Sequence, residues 1–465
     1  MEDIQATTVT GAATVLPGTA VEDLHEKLQG ALLQDGDAEY DSRRAVWNAL
    51  IDRRPALIAQ CASVSDVVSA VDFARSHALP VSVRGGGHNI AGSAVCDNGL
   101  MLDLSLLKEI RVDAETCTAW VQPGVTWGEL DRETQAFGLA TTGGICSETG
   151  VAGVALGGGF GWLMRKHGLA LDNLLSLEMV TADGQLRKVS PAENAELFSC
   201  VRGAQSNFGV ATGLEFQLHS VGPEVLAGMV MHPLARGKGV LKFYRDYTSK
   251  APDEMSAWAA IMTSPDGEPV VAILACYVGA LDAAQKVMAP LKKFGQPIAD
   301  MIQPMPYVNA QSMIDEAFPK GRLNHWKSNL LKGLSDGTID ALLEGFKDTG
   351  SPFSSILIEH LGGAMARVGT EETAFGTRDA LYDCVVMAAW TEPSESDGHI
   401  AWADRLWQAT RLDATGAGYV NYLGNEGEER VRAAYGANYD RLAKLKAKYD
   451  PDNLFCVNQN IKPQF

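Results

Sequence analysis

Two glycine-rich segments contain the residue types and spacing that could do chemistry. They are residues 84–93, which follow a short apolar run, and residues 143–161. Glycine lets successive backbone N–H groups adopt positive φ and converge on one point, an arrangement that binds phosphate oxygens without lysine side chains. The pattern therefore predicts a site for a diphosphate-containing cofactor. The alternative is that these glycines only allow tight turns.

The second segment does not match a Rossmann dinucleotide fingerprint. Gly157, Gly159 and Gly161 alternate, but they are not spaced as G-x-G-x-x-G between a strand and a helix. The nearest acidic residues downstream, Asp172 and Glu178, do not end a second strand, as a ribose contact would require. We therefore exclude a nicotinamide-type Rossmann domain.

The elements that must position these loops follow from the hydrophobic pattern. Ser63 begins a capped helix that extends to about residue 78, and a buried strand is predicted at 81–84. A hairpin at 177–181 and 185–189, a helix at 193–201 and a strand at 210–218 complete the glycine-rich half. Beyond residue 220 the glycines thin out and strands alternate with helices, which predicts a second, sheet-based domain. Its strands are predicted near 226–232, 256–263, 269–276, 354–360 and 382–390, and its helices near 237–248, 280–292, 336–348 and 398–410.

Composition and charge restrict the class of protein. The chain has 465 residues, 46% hydrophobic and 21% charged, with a formal net charge of −18. This composition is typical of a two-domain globular enzyme, and an acidic surface disfavours a nucleic-acid partner. The first residues do not resemble a signal peptide, and no apolar run is long enough for a membrane span. Eight cysteines without a C-x-x-C pair predict neither a metal site nor disulfides, so we expect a cytoplasmic protein.

Taken together, these segments resemble the berberine-bridge-enzyme-like branch of the vanillyl-alcohol-oxidase flavoproteins, which have a PCMH-type FAD-binding domain. The likeness extends from about residue 55 to 463. It includes both glycine loops, Arg-Lys-His-Gly-Leu-Ala-Leu-Asp-Asn at 165–173, Arg-Gly-Ala-Gln-Ser-Asn-Phe-Gly-Val at 202–210, Tyr-Val-Asn-Tyr at 419–422 and Asn-Gln-Asn-Ile-Lys-Pro at 458–463. Gln205 and Ser206 replace a pair that usually contains glycine in the family.

The resemblance implies an α+β fold in three parts. These are an FAD-binding domain at 1–220 with its core at about 53–220, a substrate domain at 221–415, and a segment at 416–465 that returns to the first domain. The substrate domain is expected to be an antiparallel sheet with helices on one face.

The resemblance also implies FAD attached covalently at two residues. His88 would bond to the flavin 8α-methyl, because neutral imidazole is a nucleophile, and Cys146 would bond to flavin C6 as a thiolate. The alternatives are a histidine that only serves a turn and a cysteine that packs as a small hydrophobe. The other residues expected to contact FAD are Arg84, Gly85, Gly86, Gly87, Asn89, Ile90, Gly92, Ser93, Thr149, Gly150, Gly153, Gly158, Gly159, Gly161, Val210, Tyr419, Asn421 and Asn458.

The expected catalytic residues lie in the second half of the chain. In a strand, Tyr419 and Tyr422 would point to opposite faces, and the resemblance assigns Tyr422 to the substrate as the base. A phenol needs a lowered pKa for that task, and Lys327 and Arg322 are the candidate cations. Two carboxylates are further candidates. Glu359 lies in an apolar strand, where burying a charge is costly unless the charge is paired. Asp383 stands where relatives have a substrate-facing glutamate. The alternative for both is an exposed strand edge.

The function implied is an oxidase that transfers a hydride from a small organic substrate to flavin and passes the electrons to dioxygen, giving hydrogen peroxide. A sugar, an alcohol and an alkaloid or other amine-type metabolite all remain open as substrates. Two alternatives also remain open: a dehydrogenase of the same fold with another electron acceptor, and a flavin-binding protein without turnover. The sequence leaves the oligomeric state open.

Overall fold

The glycine-rich half is built mainly on two β-sheets in the computed structural model, which describes residues 2–465. A four-stranded sheet has the order β3-β4-β6-β5, in which β6 is parallel to both of its neighbours, and a five-stranded antiparallel sheet has the order β11-β10-β12-β8-β7. The strands of this half are β1 Ile4–Thr7, β2 Ala13–Leu16, β3 Ala31–Leu33, β4 Leu57–Gln60, β5 Val81–Arg84, β6 Leu100–Asp103, β7 Ile110–Asp113, β8 Thr118–Val121, β9 Leu139–Ala140, β10 Leu174–Val180, β11 Leu186–Val189, β12 Val210–Gln217 and β13 His219–Ser220.

Helices connect several of the strands and loops of this half. The Ser63 hydroxyl accepts the Asp66 backbone N–H, which caps the predicted helix at its start. The predicted hairpin is also present, as β10 paired with β11. The helices are α1 Gly18–Lys27, α2 Tyr40–Arg44, α3 Val64–Ser76, α4 Trp127–Gln135, α5 Val151–Gly157, α6 Met164–His167 and α7 Ala195–Val201.

The central part of the chain is one antiparallel sheet with helices on one face. Its strand order is β17-β14-β16-β15-β20-β21-β19, and β18 pairs with β14. The strands are β14 Glu224–Pro233, β15 Met255–Thr263, β16 Pro269–Tyr277, β17 Ala299–Asp300, β18 Gln303–Pro306, β19 Leu323–Leu331, β20 Ser355–His360 and β21 Tyr382–Trp390. The helices are α8 Gly237–Thr248, α9 Leu281–Lys293, α10 Tyr307–Gln311, α11 Asp336–Phe346 and α12 Ser396–Ala409.

The two faces of this sheet have different partners because side chains alternate along each strand. On one face, Ile358 and Cys384 pack with the apolar sides of α8, α9, α11 and α12. On the other face, Leu357 and Val385 pack with residues of the second glycine loop. The α+β architecture and the helix-covered sheet are therefore confirmed, and the uncovered face of the sheet meets the predicted cofactor loops.

The C-terminal segment returns to the glycine-rich half. Val420 and Leu442 belong to the same apolar core as the five-stranded sheet, and the Val81 N–H donates to the Leu454 carbonyl. Two helices of this segment are separated at Gly436, where φ is +53°. The two helices are α13 Glu428–Tyr435 and α14 Tyr439–Tyr449. No helix within residues 2–465 is long and apolar enough to cross a membrane.

Candidate active site

A cavity of about 1060 Å³ lies where the two glycine loops, the open face of the central sheet and the C-terminal segment meet. Many of the residues predicted from sequence line it together. They are Gly85, Gly86, Gly87, His88, Asn89, Ile90, Cys146, Thr149, Gly150, Gly153, Tyr419, Asn421 and Tyr422. Residues more than 300 positions apart in the chain therefore line the same cavity.

A second cavity of about 640 Å³ adjoins the first. Ser93 and Asn458 line it, as do Gln205 and Ser206, the pair that departs from the family pattern. The two cavities share Val83, Gly85, Asn89, Ala94 and Gly153 as lining residues. They therefore form an elongated space whose middle is lined largely by the glycine loops.

Close backbone approach explains why glycine is needed in these loops. A Cβ added to Gly86 would lie 2.5 Å from the Gly150 backbone nitrogen, so the two loops touch through their main chains. A Cβ on Gly85 would lie 2.7 Å from the Pro123 carbonyl oxygen. Gly153 is different, because a Cβ there would meet nothing within 4 Å in the described chain. Its open side faces the space that both cavities share.

Six of the predicted FAD contacts do not line either cavity, and most of them hold the loops in place. Gly92 packs on Ile51 and Gly161 packs on the Gly143 backbone. The Arg84 guanidinium donates to the Arg43 carbonyl. The full set is Arg84, Gly92, Gly158, Gly159, Gly161 and Val210.

His88 lies against the cavity as a neutral side chain. Burial lowers its pKa to about 4, so the imidazole is uncharged at neutral pH. Its ring stacks on Trp47 with 4.4 Å between the ring centroids. Its Nε2 atom is buried without a hydrogen-bond partner in residues 2–465, which leaves one ring nitrogen free to react or to accept.

Cys146 has a less favourable charge state than the sequence predicts. Burial raises the pKa of its thiol, and the nearby carboxylates of Asp315, Glu148 and Glu359 raise it further. The thiolate expected from the resemblance is therefore disfavoured by the protein's own charges. Any reaction at Cys146 has to remove the thiol proton as the sulfur bond forms.

The Tyr-Val-Asn-Tyr segment is a turn, and the prediction of a strand there is wrong. The Tyr422 and Leu423 backbone N–H groups both donate to the Tyr419 carbonyl. This turn brings Tyr419, Asn421 and Tyr422 to the same cavity, whereas a strand would have separated the tyrosines. Only Val420 points away, into the core of the glycine-rich half.

The hydrogen bonds of the turn give its two tyrosines different roles. The Tyr419 hydroxyl is buried and accepts from the Gly159 N–H and from the Asn421 amide, at 2.8 Å each. Tyr419 therefore fixes the second glycine loop against the C-terminal segment. The Tyr422 hydroxyl instead donates to Glu359 Oε1 at 3.2 Å, and the Tyr422 residue is only partly buried.

Glu359 and Asp383 are fully buried, so the alternative of an exposed strand edge is wrong for both. They stand directly opposite each other on the adjacent central strands β20 and β21. Burial raises the pKa of Glu359 well above its usual range, and Asp383 raises it further. Burial also raises the pKa of Asp383, to about 7. Burial and the neighbouring carboxyl group therefore both oppose ionisation of Glu359.

The cations expected to activate Tyr422 lie elsewhere. Lys327 Nζ is 3.5 Å from Glu426 Oε2, and the Arg322 guanidinium carbon is 3.9 Å from the Phe353 ring centroid. Burial raises the pKa of Tyr422 well above its ordinary value, and the charge of Glu359 adds to the effect. The prediction that Lys327 or Arg322 lowers this pKa is therefore wrong for the described residues.

An aromatic enclosure around Trp326 completes the cavity. Trp326 packs edge-on against Trp47, Phe318 and Tyr422, with ring centroids 5.7 to 5.8 Å apart. The Trp47 indole N–H donates to the Phe318 carbonyl. This hydrogen bond joins the glycine-rich half to the central part of the chain. Trp162 and Trp390, by contrast, are core residues.

The residues present fit FAD. Two adjoining cavities joined at backbone-lined glycines suit a cofactor that has a diphosphate between two ring systems. The aromatic and aliphatic walls of the larger cavity suit a flat ring, and the unpartnered His88 Nε2 lies in that wall.

Two family models match the chain. One is described as an FAD-binding domain and matches residues 55–190, and the other is described as berberine and berberine-like and matches residues 418–462. An FAD-linked oxidoreductase of Dictyostelium discoideum is 34% identical over 95% of this chain and 97% of its own. The (R)-6-hydroxynicotine oxidase of Paenarthrobacter nicotinovorans is 32% identical over 94% and 97%.

Solved structures show the same overall arrangement. The structure of 6-hydroxy-D-nicotine oxidase from Arthrobacter nicotinovorans has a TM-score of 0.87 at 31% identity and covers 94% of this chain and 98% of its own. The berberine-bridge-enzyme-like protein 1 of Physcomitrella patens has a TM-score of 0.88 at 25% identity, over 96% and 99%.

Proposed function

Because the chain belongs to the berberine-bridge-enzyme-like family of FAD-linked oxidoreductases, we propose that it is an oxidase that takes a hydride from a small organic molecule and reduces dioxygen to hydrogen peroxide. The observation that carries the proposal is one cavity wall formed by His88, Cys146 and Tyr422 together. We also propose the division into an FAD domain at 1–220, a substrate domain at 221–415 and a returning segment at 416–465.

FAD, when bound, supplies the two-electron acceptor of the reaction. The main-chain amides of both glycine loops would hold its diphosphate, and Ser93 and Asn458, which line the smaller cavity, would contact one end of it. We propose that His88 and Cys146 attach the cofactor covalently. Each bond would replace one N–H or S–H hydrogen and one flavin C–H hydrogen, and dioxygen, the acceptor of the proposed reaction, would take these two hydrogens as peroxide. The neutral imidazole of His88 supports this role, since a protonated ring could not act as a nucleophile. Cys146 requires a proton acceptor during attachment because burial disfavours its thiolate.

The substrate occupies the aromatic end of the larger cavity. There Tyr422 is the polar side chain that contacts the substrate's O–H or N–H group and takes its proton, while Trp47, Phe318 and Trp326 orient the substrate by packing. A substrate with a flat or ring-shaped body suits such walls. Alcohols, sugar hemiacetals and cyclic amines all satisfy these requirements.

A screen with two electron acceptors tests the proposal. The purified yellow protein is given sugars, alcohols and cyclic amines in air, and peroxide formation is followed with a coupled peroxidase. The proposal expects peroxide in equal amount to the substrate consumed. Turnover that occurs only with an artificial acceptor, without peroxide, would identify a dehydrogenase. Flavin that no member of the panel bleaches without oxygen would support a flavin-binding protein without turnover.

A further inference from the structure

The loop that carries Cys146 lies between two cavities. Cys146 lines the larger cavity described above, and the next residue, Ser147, lines another cavity of about 470 Å³. This other cavity is bounded by the loop, by α4 through Gly128 and by α10 through Gln311. With open space on both sides, side-chain packing alone does not fix the position of the Cys146 sulfur. Hydrogen bonds to the loop have to supply that constraint.

The end of α10 and the segment that follows it hold the loop on both sides of Cys146. The Asp315 carboxylate accepts the Ser147 backbone N–H at 2.8 Å and the Ser147 hydroxyl at 2.5 Å. The Gln311 side chain donates to the Gly144 carbonyl, two positions before Cys146. Hydrogen bonds to an ionised carboxylate are stronger than those between neutral groups. Asp315 therefore makes the stronger of the two contacts.

The glycine-rich half holds the same loop through its main chain. The Gly128 backbone N–H donates to the Ser147 carbonyl at 2.8 Å. The Thr149 hydroxyl and backbone N–H both donate to the Cys146 carbonyl, at 2.7 and 3.2 Å. These bonds come from the part of the chain to which the loop itself belongs. The bonds to Asp315 come from the central part, so they determine where the loop lies relative to the substrate end of the cavity.

The segment that contains Asp315 continues into the aromatic wall of the larger cavity. The Phe318 backbone N–H donates to the Asp315 carbonyl at 3.0 Å, and the Phe318 carbonyl accepts the Trp47 indole N–H at 2.9 Å. Both Phe318 and Trp47 line the cavity. One short segment thus places both the loop with Cys146 and the wall that we assign to the substrate.

Resting on the proposed attachment of FAD, we propose that Asp315 is a positioning residue that, through Ser147, holds the Cys146 sulfur where its bond to the cofactor forms. In that step the Cys146 S–H bond and the flavin C6–H bond break and one S–C bond forms. Two electrons and two protons pass to dioxygen, which becomes hydrogen peroxide. Asp315 itself neither gains nor loses an atom.

The charge of Asp315 opposes the reaction that its hydrogen bonds assist. Burial raises the pKa of the Cys146 thiol, and the carboxylates of Asp315, Glu148 and Glu359 raise it further. Tyr422 is the other titratable group that interacts with this thiol. Asparagine in place of Asp315 would keep both hydrogen bonds, because its amide oxygen accepts the N–H and its amide nitrogen donates to the serine oxygen, but it would remove the charge. Alanine would remove both.

Flavin attachment in a His88→Ala background tests the proposal, because Cys146 is then the remaining attachment site that we assign. Flavin-free protein is mixed with FAD in air, and the mass of the denatured polypeptide is followed with time. Asp315→Ala should slow attachment by about 100-fold, the effect of a displacement of about 1 Å at a reacting group. Asp315→Asn should attach flavin at least as fast as the parent. Ser147→Ala, which removes only the hydroxyl donor, should slow attachment by a smaller factor.

Glu148→Gln is the matched control. The Glu148 carboxylate also raises the pKa of the Cys146 thiol, but its side chain is exposed and makes no hydrogen bond in residues 2–465. Alkylation of Cys146 in flavin-free protein, measured by mass spectrometry against pH, should shift to lower pH in both Glu148→Gln and Asp315→Asn, because a thiol that loses a negative neighbour ionises more readily. Glu148→Gln should attach flavin at least as fast as the parent. A purely structural defect would not produce the shift.

The outcomes separate this role of Asp315 from the function on which it rests. An Asp315→Ala protein that attaches flavin at the parent rate would overturn the proposal. An Asp315→Asn protein as slow as Asp315→Ala would also overturn it, because the charge and not the hydrogen bonds would then control attachment. A His88→Ala parent that never retains flavin would remove attachment at Cys146 and the role of Asp315 together. The oxidase assignment is tested separately, by peroxide formation in the unmodified protein.

Discussion

Replacing Gly153 by alanine separates the effect of filling the cavity from the effect of disturbing the fold. Gly153 lies inside helix α5, and an added Cβ would meet no heavy atom within 4 Å in the described chain. Alanine loses less backbone entropy than glycine on forming a helix, by about 0.5–1 kcal/mol. In protein produced without flavin, Gly153→Ala should therefore raise the ratio of folded to unfolded chains about two- to fivefold.

The same methyl group should weaken cofactor binding. Gly153 lines both cavities, so the methyl enters the space that we assign to FAD. Forcing one extra carbon into a filled, well-packed site costs about 1–3 kcal/mol, which corresponds to about 5- to 150-fold in the dissociation constant. We therefore expect the variant to be more stable without flavin and to bind flavin more weakly. A general folding defect would instead lower both the stability and the affinity.

The assay has two parts and a matched control. Chemical denaturation of flavin-free protein gives the free energy of unfolding. Titration with FAD in a His88→Ala, Cys146→Ala background, in which neither bond can form, gives the affinity. Gly239→Ala is the control, because Gly239 is an exposed residue of α8 whose added Cβ would also meet nothing within 4 Å in the described chain. It should gain similar stability and bind FAD normally. A Gly153→Ala protein with undiminished flavin affinity would refute the placement of FAD.

Three further predictions come from side-chain contacts outside helix α5. Tyr422→Phe should slow flavin reduction far more than it weakens substrate binding, because only the proton link to Glu359 is removed; equal reduction rates in stopped-flow traces would exclude Tyr422 from the reaction. Arg430→Gln removes the positive charge that lowers the pKa of Asp383, so the pKa of that carboxyl group should rise, and Arg430→Lys should restore it; infrared spectra of the carboxyl stretch against pH measure the shift. Lys446→Met should lower the free energy of unfolding by about 3–5 kcal/mol, because Asp450 would remain buried without its partner at 2.6 Å. Lys448→Met, at an exposed ion pair, should leave thermal unfolding unchanged.

Local sequence signals were sufficient for elements whose residues lie close together in the chain. The capped helix from Ser63, the hairpin of β10 and β11 and most strands of the central sheet were predicted from periodicity and turn residues. Strand β19 was missed because His325, Lys327 and Ser328 interrupt its apolar residues. In the structure these polar side chains are buried or only partly exposed. The strand expected at 419–422 came from the family resemblance, and the hydrogen bonds from the Tyr422 and Leu423 N–H groups to the Tyr419 carbonyl make this segment a turn.

The chemistry of the site depends on contacts that local sequence does not encode. The glycine loops, His88 and Cys146 were recognisable as motifs, whereas the pairing of Glu359 with Asp383 is set by the register between two strands. Glu359 of this pair accepts the hydrogen bond of Tyr422, where the sequence had suggested a nearby cation. The aromatic enclosure likewise brings Trp47 to Trp326 across almost 280 positions.

The mass of the denatured polypeptide tests the central claim most directly. The account predicts that the unmodified protein, after acid precipitation, carries the mass of one FAD and keeps its yellow colour. His88→Ala and Cys146→Ala should each retain the flavin through the remaining bond, and the double variant should release it as free FAD. A double variant that still carries flavin after denaturation, or an unmodified protein that loses it, would contradict attachment at these two side chains.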